Sequence, residues 1–188
     1  MNSILDEPAV RRAAFPVSVE FYHELGRLGL LDKSVELLDG VIIRKMSKSP
    51  LHASVVRRFA RLIAGALKPG QLLLREDPIT TVRSEPEPDL AVVEGREEDF
   101  FEAHPRSALL AIEIAVSSVE LDRRKAAIYA AAGVAEYWLV EPEPRRITVF
   151  REPAGEVYQQ MEIVDSPGVL ESRALPSLRV NLSELFER

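Results

Sequence analysis

Two acidic residues interrupt apolar segments that are typical of buried strands. Asp89 opens the segment 89–93, and Glu113 lies inside the segment 109–115. A carboxylate in such a setting is costly unless it is paired or bound to a metal ion. The two residues are 24 positions apart (113 − 89), so their strands can be neighbours in one sheet. Because hard cations prefer oxygen ligands, Asp89 and Glu113 predict a shared site for Mg²⁺ or Mn²⁺.

This pair of carboxylates indicates phosphodiester hydrolysis, since one or two carboxylates and substrate phosphate commonly complete the coordination of magnesium. Each residue also has a structural interpretation. Asp89 follows Pro88 and would cap a turn, while Glu113 would form a salt bridge with an arginine. The two residues together are more specific than either one alone.

Such hydrolysis also needs a positive charge near the phosphate. The position two residues after Glu113, on the same side of the strand, is Ala115, which cannot supply it. Lys125 is the nearest substitute, and it shares a predicted helix face with Asp122 and Tyr129 at spacing i, i+3 and i+7. The alternative is an exposed Asp122–Lys125 pair, which contributes little to stability.

Other ionisable residues have two interpretations each. Glu36 is either a further metal ligand or water-orienting base, or an exposed residue of an edge strand. His52 falls near the apolar side of its predicted helix, where a structural role is favoured. A basic face on the same helix either contacts nucleic-acid phosphates or is simply solvated; it consists of Arg57, Arg58 and Arg61.

Composition limits the possible classes. The 188 residues predict one domain, residues 1–188, with a loose tail over 1–16. No cysteine is present, which excludes disulfides and thiolate zinc sites. The net charge of −6 argues against a protein whose main task is to hold DNA. With no apolar run near the ~20 residues that span a bilayer and no signal peptide at its start, the chain is expected to be cytoplasmic.

Turn and cap residues divide the chain into alternating strands and helices. Asp39-Gly40 predicts a tight hairpin within 35–43, and Ser117 with Glu120 predicts a capping box. The predicted helices are 18–28, 50–67 and 119–132, with a final turn at 182–186 capped by Asn181. The predicted strands are 71–76, 79–83, 89–93, 109–115, 137–140, 147–150 and 157–164. Apolar strands with helices to cover both faces predict a three-layer α/β sandwich around a mixed sheet.

Several segments carry a family resemblance. The run from Glu113 to Val140 closely resembles the Uma family of bacterial restriction endonuclease-like proteins. Three shorter segments support it in the expected order: Val35-Glu-Leu-Leu-Asp-Gly40, Ser49-Pro-Leu-His52 and Glu87-Pro-Asp-Leu-Ala-Val-Val93. The resemblance covers about residues 18–150. Two positions depart from the family pattern, Val116 and Glu141, and neither is a proposed ligand.

That family is similar to the PD-(D/E)xK nucleases. The resemblance implies a restriction-endonuclease-like fold, with an extra N-terminal hairpin and extra C-terminal strands, and magnesium-dependent DNA cleavage. It implies that Asp89 and Glu113 bind metal, that Lys125 is a relocated catalytic lysine, and that Glu36 is an accessory acid. A homodimer is expected because cutting two strands favours two symmetric sites. The rival hypothesis is a catalytically inactive, nuclease-like scaffold that binds nucleic acid or protein.

Overall fold

The computed structural model describes residues 8–32 and 34–187. Its helices are α1 (Pro8–Ala13), α2 (Val19–Arg27), α3 (Pro50–Ala64), α4 (Val119–Ala131) and α5 (Leu182–Leu185). Its strands are β1 (Val35–Leu38), β2 (Val41–Arg44), β3 (Gln71–Leu74), β4 (Leu90–Glu94), β5 (Leu110–Ile114), β6 (Glu136–Glu141), β7 (Arg146–Ala154), β8 (Val157–Asp165), β9 (Val169–Glu171) and β10 (Arg179–Asn181). Helix α1 lies within the predicted tail, of which residues 1–7 lie outside the described residues.

Six strands form the central sheet in the order β3-β4-β5-β6-β7-β8. Only the β5–β6 pair is parallel among these strands; the other four pairs are antiparallel. The parallel pair needs a crossover, and α4 supplies it between β5 and β6. The sheet is therefore mixed, as the sequence predicts.

Helices cover both faces of this sheet. On one face, Phe59 of α3 packs against Trp138 of β6, with ring centroids 6.2 Å apart. On the other face, Tyr129 of α4 packs against Tyr137, with ring centroids 4.8 Å apart. Because side chains alternate along a strand, neighbouring residues of β6 belong to the two different cores. The predicted three-layer sandwich is confirmed.

The predicted hairpin forms between β1 and β2. Both turn residues have positive φ, 48° at Asp39 and 74° at Gly40, as a type I′ turn requires. Gly40 has a second constraint, since a Cβ atom there would lie 2.5 Å from the Cβ of Pro16. A side chain at position 40 would therefore displace the segment that leads into α2.

Helix starts follow the predicted caps with one exception. Ser18, Ser49 and Asn181 each accept a backbone N–H of the following helix. At α4, however, the predicted Ser117–Glu120 capping box is wrong, because Ser118 is the N-cap and makes no capping bond. Its hydroxyl donates to the carboxylate of Asp122 instead.

The predicted strand over 79–83 is also wrong. Ile79 is fully buried, but the backbone N–H groups of this segment donate to loop carbonyls. That of Thr80 donates to Pro105 (2.9 Å), and that of Thr81 donates to Ser84 (2.8 Å). Only Ile79 is buried in this segment, Val82 and Arg83 are exposed, and the chain bends at residues 82–83 without strand pairing. In the described ranges 8–32 and 34–187, no helix combines the length and the apolar character that crossing a bilayer requires.

Candidate active site

The sheet brings Asp89 and Glu113 together on its α4 face. Asp89 immediately precedes β4, and Glu113 lies in the antiparallel neighbour β5. Asp89 lies two residues before Ala91, and Glu113 lies two residues after Ala111, so each shares a sheet face with that alanine. Both alanines pack in the core beneath α4. The backbone N–H of Ile114 donates to Oδ2 of Asp89 at 2.8 Å. The two carboxylates predicted to share a cation thus belong to one buried site.

Lys125 reaches this site from the facing helix. Its Nζ lies 3.0 Å from Oε1 of Glu113 and 2.9 Å from Oε1 of Glu36. Asp122, one turn earlier on α4, places its Oδ1 3.4 Å from the same ammonium. Lys125 is only 4% exposed, so the alternative of an exposed Asp122–Lys125 pair is wrong.

Glu36 enters the site from the N-terminal hairpin. It is 1% exposed, because β1 packs beside the loop that precedes β4, and its neighbour Leu37 bridges Glu85 there. The backbone N–H of Glu87 donates to Oε2 of Glu36 at 3.2 Å. Glu36 is therefore a buried member of the cluster, and the alternative of an exposed edge residue is wrong.

Two further side chains hold the central carboxylates. The hydroxyl of Tyr129 donates to Oε1 of Glu113 at 2.8 Å. Nε2 of His52 lies 3.0 Å from Oδ2 of Asp89. Both donor side chains are buried, so each holds its carboxylate in a defined orientation.

Carboxyl groups outnumber ammonium groups in the cluster. Glu36, Glu113 and Asp122 lie within 3.4 Å of the Lys125 ammonium, and Asp89 is a fourth buried carboxyl group of the same cleft. Burial raises the pKa of Glu113 well above its ordinary value; Lys125 opposes this shift, and the neighbouring carboxylates add to it. Burial likewise raises the pKa of Asp122. For Lys125, burial lowers the pKa, but the surrounding carboxylates outweigh it and the net shift is upward. The lysine therefore stays protonated.

The cluster opens into a cleft of about 100 Å³, enough for a few water molecules at about 30 Å³ each. The five charged residues and His52 line its interior. Two ion pairs stand at its rim, Lys45 with Glu87 and Lys48 with Glu76. These rim lysines are compensated, so the cleft keeps its acidic character.

The donor set suits a hard cation. Asp89 receives its protein hydrogen bonds on Oδ2, and Glu113 receives them on Oε1. Among the described residues, Oδ1 of Asp89 and Oε2 of Glu113 have no hydrogen-bond partner. Neither atom is among the polar atoms that are fully buried without a partner. Each predicted ligand therefore keeps one oxygen available in the cleft. However, residues 8–32 and 34–187 contain no ready-made group of three or more His, Asp or Glu side chains that could hold a metal ion.

Comparison with known proteins gives the family. A family model described as "Putative restriction endonuclease", Uma2, matches residues 19–183, which is most of the chain. The chain belongs to the Uma2 family. The family resemblance read from the sequence motifs is thereby confirmed, and the matched range extends beyond them to the C-terminal strands.

A solved structure shares the fold of this Uma2 chain. It is a crystal structure titled as a putative nuclease from Anabaena variabilis, with 20% sequence identity and a TM-score of 0.77. The alignment covers 91% of this chain and 98% of the other. At this identity the likeness shows the fold alone. No curated protein matches the chain.

Arg57, Arg58 and Arg61, which the sequence predicts as nucleic-acid contacts, lie outside the cleft of this Uma2 member. None of the three arginines is among the cleft-lining residues. Arg58 donates to the backbone carbonyls of Glu184 and Leu185, whereas Arg57 and Arg61 are exposed on α3. Contact with nucleic acid stays a prediction for all three.

The two residues that depart from the family pattern, Val116 and Glu141, lie in different parts of the structure. Val116 lines the cleft, two residues after the end of β5, which carries Glu113. Glu141 lies at the end of β6 and pairs with Arg146 at 2.9 Å. Neither residue supplies an oxygen to the cluster around Lys125.

Sequence reasoning underestimated three residues of the site: Asp122, Tyr129 and His52. The spacing of Asp122, Lys125 and Tyr129 did place them on one helix face, but did not show that this face is buried. His52 carried a weaker signal, since the Ser49-Pro50 start of α3 places it in the first turn. Its carboxylate partner is 37 residues away, a distance that no local pattern reveals.

Proposed function

We propose that this protein is a metal-dependent endonuclease that hydrolyses DNA phosphodiester bonds. The observation that carries the proposal is the meeting of Asp89 and Glu113 in one cleft, each with an oxygen free of protein hydrogen bonds. Family membership supports nuclease chemistry. The excess of carboxylates supports a cation requirement, because phosphate would otherwise be repelled from this cleft.

Asp89 and Glu113 would hold Mg²⁺ or Mn²⁺ through Oδ1 and Oε2. When bound, such an ion polarises the phosphate and lowers the pKa of a coordinated water. The hydrogen bonds from Tyr129 and the backbone of Ile114 keep the two carboxylates in place, so they need little reorganisation.

Lys125 would stabilise negative charge that develops on the phosphate. Its ammonium is held by Glu113, Glu36 and Asp122, and a fixed charge in a poorly hydrated site stabilises more than one in water. Glu36 serves as the accessory acid: it holds the lysine with Oε1 and the backbone of Glu87 with Oε2.

Plasmid nicking tests this proposal. Purified protein with Mg²⁺ or Mn²⁺ should convert supercoiled DNA to open circles, and chelation should stop the reaction. Asp89→Ala should abolish nicking, whereas Asp165→Ala, which removes an exposed carboxylate of β8, should leave it unchanged. Nicking by Asp89→Ala at the parent rate would refute the mechanism.

The rival function is a nuclease-like scaffold without catalysis. One observation favours it: Lys125 already pairs with carboxylates of the cleft, and the described residues hold no ready-made three-ligand metal group. Calorimetry with Mn²⁺ separates the two functions. A nuclease binds the ion and loses binding in Asp89→Ala, whereas a scaffold shows no binding that depends on these carboxylates.

We propose further that the substrate is DNA rather than RNA, that the protein is a homodimer, and that it works in the cytoplasm. Two symmetric sites would suit the cutting of two strands. Cleavage assays on matched DNA and RNA duplexes test the substrate, light scattering after size exclusion tests the dimer, and cell fractionation tests the location.

A further inference from the structure

His52 occupies a defined place in the cleft. Ser49 caps α3 and accepts the backbone N–H of His52 at 3.2 Å, while Pro50 begins the helix. These two residues fix His52 in the first helical turn. From there the imidazole reaches Asp89, with Nε2 3.0 Å from Oδ2, and the residue as a whole is 9% exposed.

The hydrogen bonds around this ring assign its tautomer. Oδ2 of Asp89 already accepts the N–H of Ile114, and we place the ring proton on Nε2, from which it donates to the same carboxylate oxygen. The other nitrogen, Nδ1, is buried without a partner in the described structure. Placing the ring proton on Nε2 leaves no buried N–H donor of this ring unpaired.

The same hydrogen bonds exclude His52 as a general base. A base must reach the proton that it removes, directly or through one water. Nε2 carries its proton toward Asp89, and Nδ1 has no exposed surface from which to reach a water in the cleft. What remains for His52 is the orientation of Asp89.

We infer that His52 is a positioning residue for the metal site: its Nε2–H and the N–H of Ile114 hold Oδ2 of Asp89, and so turn Oδ1 toward the ion. The inference rests on the proposed metal-dependent function. Without the imidazole donor, the Asp89 carboxylate would keep one hydrogen bond and could rotate about its Cβ–Cγ bond. Partners that orient a metal ligand typically contribute about 10- to 100-fold to metal affinity.

Mn²⁺ affinity, measured by calorimetry and by electron paramagnetic resonance, tests this role without any activity assay. His52→Leu removes the donor and keeps an apolar volume. His52→Asn keeps polarity but is too short to reach Asp89, and it covers the case in which the leucine variant does not fold. His52→Gln restores an N–H donor near the position of Nε2. His23→Leu is the matched control, because it removes a different histidine–carboxylate contact, His23 with Glu85, outside the cleft.

We expect His52→Leu and His52→Asn to weaken Mn²⁺ binding by about 10- to 100-fold, with His52→Gln close to the parent and His23→Leu unchanged. Parent affinity in both the leucine and asparagine variants overturns the inference. So does a glutamine variant as weak as the leucine variant, because the donor would then not be what matters. If the parent protein itself binds no Mn²⁺, the proposed function fails together with the inference, and that result is distinct from a change among the variants.

Discussion

The ammonium of Lys125 lies 3.0 Å from Oε1 of Glu113, across the interface between α4 and β5. Both side chains are about 95% buried, so this ion pair is part of the core beneath α4. Buried ion pairs are stable only when the remaining donors and acceptors are also satisfied. Here Glu36, Asp122 and Tyr129 complete the arrangement. The site that would bind metal is therefore also a determinant of stability.

Lys125→Met should destabilise the protein by about 3–5 kcal/mol at neutral pH, because buried carboxylates would lose their cation. Urea unfolding followed by circular dichroism measures this. Adding Glu36→Gln to Lys125→Met removes a carboxylate that lies 2.9 Å from the ammonium in the parent, and should recover part of the loss. Exposed Lys68 supplies the control, and Lys68→Met should unfold like the parent. A Lys125→Met protein as stable as the parent would contradict the buried pair.

Glu113→Gln should change how stability depends on pH. Burial is the main reason that the pKa of Glu113 lies well above its ordinary value of 4.5. Above pH 4.5, up to the raised pKa, the folded protein holds a proton that the unfolded chain has released, so stability falls as pH rises. Glutamine does not titrate, and the variant should therefore gain on the parent with rising pH in this window, by at most about 1.4 kcal/mol per pH unit.

Unfolding at a series of pH values above 4.5 measures this difference. Glu98→Gln is the control, since Glu98 is exposed in the single turn Glu97–Phe100, and its curve should run parallel to that of the parent. Should the Glu113→Gln curve also run parallel, the proton on Glu113 in the folded state would be disproved.

The pattern of residues was enough to predict the sheet and the meeting of Asp89 and Glu113 in one site. Apolar runs flanking Asp89 and Glu113 predicted the two strands, whereas the structure shows that both side chains lie on one face, because the register between two strands does not follow from alternation within each. Lys125 followed from helical spacing. These inferences succeeded because each depends on a period within a single element or on two adjacent strands.

Contacts between distant elements could not be predicted in the same way. Helix α4 carries charged residues on its buried side, so its amphipathic pattern is weak and the burial of Asp122 stayed hidden. The segment 79–83 has the composition of a strand, but its N–H groups bond to loop carbonyls. The predicted cap at Ser117 is wrong because α4 begins one residue later, with Ser118 as its N-cap. The Ser118 hydroxyl bonds to the Asp122 carboxylate rather than to a backbone N–H, a contact that a capping pattern does not predict.

Nucleic-acid contact by the exposed arginines of α3 can be measured apart from catalysis. Arg57→Ala with Arg61→Ala should weaken DNA binding and lower the slope of log K against log salt concentration by about 0.9 for each phosphate that is no longer neutralised. Arg106, exposed in the loop before β5, gives the control variant Arg106→Ala, which should keep the parent slope. An unchanged slope in the double variant would mean that this face of α3 is simply solvated.

A second buried ion pair, between Arg151 of β7 and Glu136 of β6, gives the last prediction. Nε of Arg151 donates to Oε1 of Glu136 at 2.6 Å, and Glu136 also accepts the hydroxyl of Ser172 at 2.5 Å. Arg151→Met would leave the Glu136 carboxylate buried without its cation, and should cost about 3–5 kcal/mol of unfolding free energy. Arg151→Met with Glu136→Gln should cost less, because no buried charge is then left alone.

Exposed Arg179, 3.7 Å from Glu171, provides the comparison: Arg179→Met should change stability by less than about 1 kcal/mol. Equal losses in Arg151→Met and Arg179→Met would show that burial does not govern the strength of these pairs.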